Sequence, residues 1–127
     1  MQTKDPLSKL LLDATEADRA LIASALNERV GIDASSGRIV LLPGYAAMKA
    51  RQKVLAVLLA AKAAHLLGLR DGEPIAMQDI VATSGLPRGT VAPKLKELRE
   101  THLVGQASDR SYYVPNAVLQ RVAQELQ

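Results

Sequence analysis

Residues Ile75 to Val104 read IAMQDIVATSGLPRGTVAPKLKELRETHLV, and Gly105 to Pro115 continue as GQASDRSYYVP. Ile75-Ala76 is a short apolar pair. Met77 to Thr83 has helical spacing, with Ile80 and Val81 directed inward. Ser84-Gly85-Leu86-Pro87 reads as a turn, because Gly opens backbone conformations closed to other residues and Pro interrupts a helix. Val91, Leu95 and Leu98 recur at i, i+4 and i+7, which places them on one face of a second helix. Leu103-Val104 begins a strand, Ser108-Asp109-Arg110 is a polar tip, and Tyr112-Tyr113-Val114 is the return strand, ended by Pro115. Tyr112 and Tyr113 alternate across that strand, so one of them packs inward.

Upstream, Ala46 to Leu67 is the longest helix candidate, stopped by Gly68. Its first half is amphipathic, with Lys49, Gln52 and Lys53 on one side and Met48 and Leu55 on the other. Its second half is apolar almost all round, which implies contacts on several sides. Arg70 to Pro74 is a loop. Further upstream, Leu7, Leu10 and Leu11 follow Pro6 as a turn or two of helix. Thr15 is an N-cap, and Ala17, Leu21, Ala25 and Leu26 carry a helix expected to end at Gly31. Asp33 to Gly37 is turn-rich, and the run Arg38 to Leu42 completes a small hairpin closed by Pro43-Gly44. Downstream, Asn116 is expected to cap a last helix with Val118, Leu119, Val122 and Leu126 on one side.

The order helix, short strand, helix, turn, helix, strand, tip, strand over residues 46–115 resembles a winged helix-turn-helix domain. The resemblance implies that Gly85 supplies the turn, that Leu86 fills the angle between the two helices, and that Gly105 to Val114 is the wing. It implies that the helix opening at Arg88 to Thr90 enters a DNA major groove. The chain departs from the family in two places. Pro93 lies within the groove-reading helix, where an interior Pro costs about 3 kcal/mol. A start near Gly89 or Thr90 would leave Pro93 among the free N–H positions of the first turn; otherwise a kink is expected. His102 stands at the helix exit, where the family more often has Gly; a left-handed backbone or a capping ring would accommodate it. The expected fold class is therefore mainly α with small β-hairpins: residues 1–45 a helical segment plus hairpin, 46–115 the winged helix-turn-helix, 116–127 a C-terminal helix.

Composition narrows the alternatives. The chain has 127 residues, no Cys, no Trp, no Phe and only three Tyr, while Ala and Leu number 20 each. Without Cys there is no disulfide framework, zinc finger or thiol nucleophile. An apolar share of 48% excludes a disordered chain. So few aromatic rings argue against a stacking platform for single-stranded nucleic acid. No phosphate-cradling, dinucleotide, zinc-protease or nucleophile-elbow motif occurs, the two histidines lie in different helices, and no carboxylate pair stands out. The chain is therefore read as a non-enzyme with no cofactor and no metal. The N-terminus is charged too early for a signal peptide, and Val54 to Leu69 is too short and too interrupted, by Lys62 and His65, to span a membrane. The expected location is cytoplasmic, and nucleoid-associated if DNA is the partner.

Net charge is only +3, but it is unevenly placed. Residues 46–70 carry Lys49, Arg51, Lys53, Lys62 and Arg70 with no acid, whereas the flanking segments are each slightly acidic. A duplex-binding helix needs cations for phosphates and polar groups for base edges. Arg88, Thr90, Lys94, Lys96 and Arg99 are the candidates on that helix, with Arg88 foremost and Lys96 pointing away from the apolar stripe. Arg110 is the wing cation. Lys49, Arg51 and Lys53 are expected to touch the DNA backbone beside the groove-reading helix. Glu97 and Glu100 lie outward too and would repel phosphate unless paired with Arg or Lys. The expected role is double-stranded DNA binding by a small transcriptional regulator. It could act as a homodimer through Leu21, Ala25, Val118, Leu119, Val122, Leu126 and the apolar end of the long helix, unless one domain buries these internally. A protein-interaction winged helix and an architectural, chromosome-coating DNA binder of low sequence specificity are the alternatives.

Overall fold

Helix α2, Ala50–Leu66, is the element around which the others are arranged. In the computed structural model, residues 16–107 and 110–127 are described. They are mainly helical, with a two-stranded and a three-stranded antiparallel sheet. The expected turn at Leu7, Leu10 and Leu11, the Thr15 cap, and Ser108 and Asp109 of the polar tip lie outside the described residues. Ala and Leu explain α2. They are strong helix formers, and the run Val54 to Ala61 is no more than 1% exposed at any residue. A helix buried on every side must be packed from every side. Here α1 (Glu16–Leu26), the hairpin strands β1 (Val30–Ile32) and β2 (Ile39–Leu41), α3 (Met77–Ser84) and α4 (Arg88–Glu100) all lean on it.

The second sheet is built from β3 (Ile75–Ala76), β4 (Gly105–Gln106) and β5 (Ser111–Tyr113), in the order β3-β5-β4. Ile75 faces Tyr112 and Gly105 faces Tyr113 in register. The strand preceding α3 is thus tied to the hairpin that follows α4, and the two helices are held between them. As expected, one tyrosine packs inward: Tyr112 is 7% exposed and Tyr113 is half-buried. A Cβ at Gly105 would lie 2.6 Å from the far end of the half-buried Tyr113 ring, so a larger residue there would have to push that ring aside. Helix α5 (Leu119–Glu125) closes the fold against α1, burying Leu119, Val122 and Leu126. Leu21, Ala25 and Val118 pack on the same core. The residues expected to be available for dimer contact are thus largely committed inside one chain.

Several boundaries differ from expectation. Helix α1 ends at Leu26 rather than Gly31. Glu28 turns the chain with φ 64°, and Val30 and Ile32 pair with β2, taking Gly31 into a strand. Helix α2 begins at Ala50, not Ala46, because Pro43–Ala47 forms a 3-10 turn and Met48 is extended at ψ 152°. That turn buries Tyr45. Asn116 does not cap α5; it opens a 3-10 turn, Asn116–Val118, ahead of the helix. Pro93 is not in the first turn. Helix α4 starts at Arg88 after Pro87, so Pro93 is its sixth residue and the Gly89 carbonyl loses its helical partner. Both residues are exposed, which leaves that carbonyl open to solvent.

His102 adopts the left-handed conformation, φ 63°. Its N–H donates to the Arg99 carbonyl at 3.0 Å and the Leu103 N–H to the Leu98 carbonyl at 2.9 Å, the double bond of a Schellman ending. Gly normally occupies this position without steric cost, so His102→Gly is expected to raise stability by about 0.5–1 kcal/mol in urea unfolding.

The largest departure concerns Lys62. It belongs to the basic segment by sequence, yet it is 1% exposed. Its ammonium donates to Glu73 Oε1 at 2.7 Å and to the Val114 carbonyl at 3.0 Å. One side chain thus fixes the loop before β3 and the chain leaving β5 onto α2. Which partner is removed matters, because the Lys62 side chain is 1% exposed and that of Glu73 is 25% exposed: an ammonium left without its carboxylate is stranded in the core, while a carboxylate left without its ammonium reaches water. Glu73→Ala is therefore expected to destabilise by about 3 kcal/mol or more, and Lys62→Met, which keeps the volume, by less. Chemical denaturation of the two variants checks the order.

Candidate nucleic-acid interface

The turn between α3 and α4 is held from both sides. Gly85 follows α3 with φ 75°, a conformation that only Gly adopts without strain. Leu86 packs against the core between the two helices, as expected. Ser84 is buried and works at three points. Its Oγ donates to the Val81 carbonyl at 3.4 Å and accepts the Leu86 N–H at 3.2 Å, while its carbonyl accepts the Tyr45 hydroxyl at 2.7 Å. Burial pushes the Tyr45 hydroxyl up to about 12. The Lys53 ammonium lies 5.3 Å from the centre of the Tyr45 ring, a cation–π contact. Tyr45 is therefore the fastener of the turn. It has no place in the motif by sequence; the only signal is an aromatic residue directly after Pro43-Gly44 in a chain nearly devoid of rings.

Helix α4 buries Val91, Leu95 and Leu98 at 0–1% exposure, the stripe expected from spacing. Arg88, Gly89, Pro93, Lys96, Arg99 and Glu100 are exposed, and Thr90 is half-buried with its N–H on the Pro87 carbonyl at 2.9 Å. Among the described residues, no carboxylate lies within ion-pair distance of Arg88, Lys96 or Arg99. Arg121 of α5 donates to the Thr101 carbonyl at 2.9 Å, placing a cation at the negative end of α4.

The remaining cations are not equivalent. Lys94 Nζ sits 3.3 Å from Glu97 Oε2, and Arg51 Nη1 sits 3.5 Å from Glu97 Oε1. Arg51 also grips Glu125 with two bonds, Nη2 at 3.1 Å and Nε at 3.3 Å. Gln52 donates to the Glu125 carbonyl at 2.9 Å, and Arg29 donates to the Leu126 carbonyl. So the structure brings Arg51 and Lys94 together around one carboxylate, while Lys49 is exposed at the start of α2. Lys53 is half-buried over Tyr45. Arg110 is exposed in the β4–β5 turn with φ 68°. Glu125 as a partner of Arg51 was not visible in the sequence, because it lies 74 positions away.

Comparison with models of known families, with curated proteins and with solved structures finds no match. Among the described residues, no helix is long and apolar enough to cross a membrane.

The Tyr45 hydroxyl yields a test of the turn. Tyr45→Phe leaves the Ser84 carbonyl without its donor and is expected to cost about 1–2 kcal/mol. Because the folded chain holds Tyr45 protonated beyond its ordinary value of 10.0, the stability this contributes is full below pH 10. It is lost as pH rises toward about 12. Thermal unfolding followed between these pH values should fall more steeply for the parent than for Tyr45→Phe.

Proposed function

We propose that the chain binds double-stranded DNA as a winged helix-turn-helix, with α4 as the helix that enters the major groove and a small transcriptional regulator as its role. The observation that carries the reading is the junction of α3, the Gly85 turn and α4 beside the β3-β5-β4 sheet, with three exposed cations of α4 that have no carboxylate within ion-pair distance among the described residues. This is the arrangement by which a helix-turn-helix presents one helix and a hairpin to a duplex. Arg88, Lys96 and Arg99 are the principal contacts. Thr90 approaches phosphate at the helix start, Arg110 serves the wing, and Lys49 and Lys53 lie along the flank. The small residues Gly89, Ala92 and Pro93 give close backbone approach but few base-reading groups, which favours modest sequence specificity.

A second reading has its own support. The ion pairs of Arg51 and Lys94 neutralise part of the basic surface, which suits a winged helix that docks on a protein. Equilibrium binding of labelled duplex separates the two. Binding to random duplex should be strong near 50 mM salt and fall with the logarithm of salt concentration. Arg88→Ala, Lys96→Ala and Arg99→Ala should each lower that slope by about 1. A folded chain that binds neither random nor selected duplex at low salt leaves the protein-docking reading standing.

A further inference from the structure

We propose that Glu97 withholds Arg51 and Lys94 from a polyanion, so that the α4 face carries a built-in electrostatic restraint. The inference rests on the DNA-binding reading and concerns the regulation of that same surface. Four side chains from three helices meet here: Arg51 of α2, Lys94 and Glu97 of α4, and Glu125 of α5. Two cations meet two carboxylates, so the cluster presents no net charge. Glu97 is its hinge. One carboxylate oxygen lies 3.5 Å from the Arg51 guanidinium and the other 3.3 Å from the Lys94 ammonium.

The cluster is partly open to solvent. Side-chain exposure is 45% for Glu97, 32% for Lys94 and 25% for Arg51. Pairs at this exposure are weak and salt-screened, so they hold cations without locking them. A cation already neutralised by an internal carboxylate neutralises no phosphate and displaces no counterion from the duplex, so it adds little to the salt dependence of binding. The two cations are not held alike. Without Glu97, Lys94 has no partner among the described residues, whereas Arg51 keeps its two bonds to Glu125. Removing the carboxylate therefore frees Lys94 fully and Arg51 in part. Glu100 provides a matched comparison: the same acid, on the same helix, exposed, with no cation within ion-pair distance among the described residues.

The test uses the full chain and labelled random-sequence duplex, titrated from about 50 to 200 mM salt. Glu97→Gln is expected to bind several-fold more tightly than the parent, with a salt slope steeper by about 1 to 2. Glu100→Gln should raise affinity less and leave the slope near that of the parent. Lys94→Ala should leave the slope unchanged in the parent but lower it by about 1 in the Glu97→Gln background. Equal behaviour of Glu97→Gln and Glu100→Gln overturns the restraint, since general charge repulsion then explains both. So does a Lys94→Ala substitution that lowers the slope equally in both backgrounds, a comparison that needs only a folded parent if Glu97→Gln weakens the fold: a full drop of about 1 in the parent alone is already decisive. In either case a parent that binds duplex leaves the DNA reading intact. Absence of duplex binding by the parent and by Glu97→Gln alike removes the reading on which the restraint depends.

Discussion

Burial of the middle of α2 is the constraint on which the remaining structure depends. An α-helix with an apolar stripe needs one partner surface, but one apolar around its whole circumference needs a cage. Val54 to Ala61 has no solvent-facing residue, so each neighbour is obliged to cover a different sector. The hairpin covers one, α1 another, and α3, α4 and β5 the rest. The angle between α3 and α4 is then set by a shared floor, and the Gly85 turn only has to permit it. With hardly any aromatic side chains, the cage is assembled from Ala, Leu and Val, which bring helices close and leave little room for volume change.

Polar contacts finish what packing begins. Lys62 reaches through the core wall to Glu73 and the Val114 carbonyl, so the three-stranded sheet is anchored to α2 by charge as well as by area. Tyr45 does the corresponding work for the turn through the Ser84 carbonyl. At the far end of the fold, Arg29, Arg51 and Gln52 converge on the last residues of α5. These contacts span long sequence separations and join elements that local propensity would form independently. They select one mutual arrangement among several that apolar burial alone would tolerate.

Much of this was legible from residue spacing. The α3–turn–α4 segment, the inward stripe of α4 and the inward tyrosine follow from periodicity, and the left-handed exit at His102 is one of the two ways expected to accommodate a non-Gly residue there. Misplaced boundaries have a common cause. Gly31 and Ala46 carry signals for helix end and helix start, but pairing with β2 and burial of Tyr45 override them. The charge pattern misled more seriously. Summed along the chain, Lys62, Arg51 and Lys94 count as surface cations; in space, one is buried and two are neutralised. A sum over sequence cannot register a partner 74 residues away.

Pro93 has a mechanical side. A helix resists deformation because each backbone bond shares its load with those one turn above and below, and α4 lacks one of these where the Gly89 carbonyl is left unmatched. The gap is confined to one side, because Val91, Leu95 and Leu98 pin the helix to the core on both sides of Pro93, and the Thr90 and Val91 N–H groups both bond the Pro87 carbonyl. The open carbonyl of Gly89 therefore sits on the solvent side of a helix whose opposite face is fixed along its length: α4 presents a free backbone acceptor outward without loosening the fold behind it.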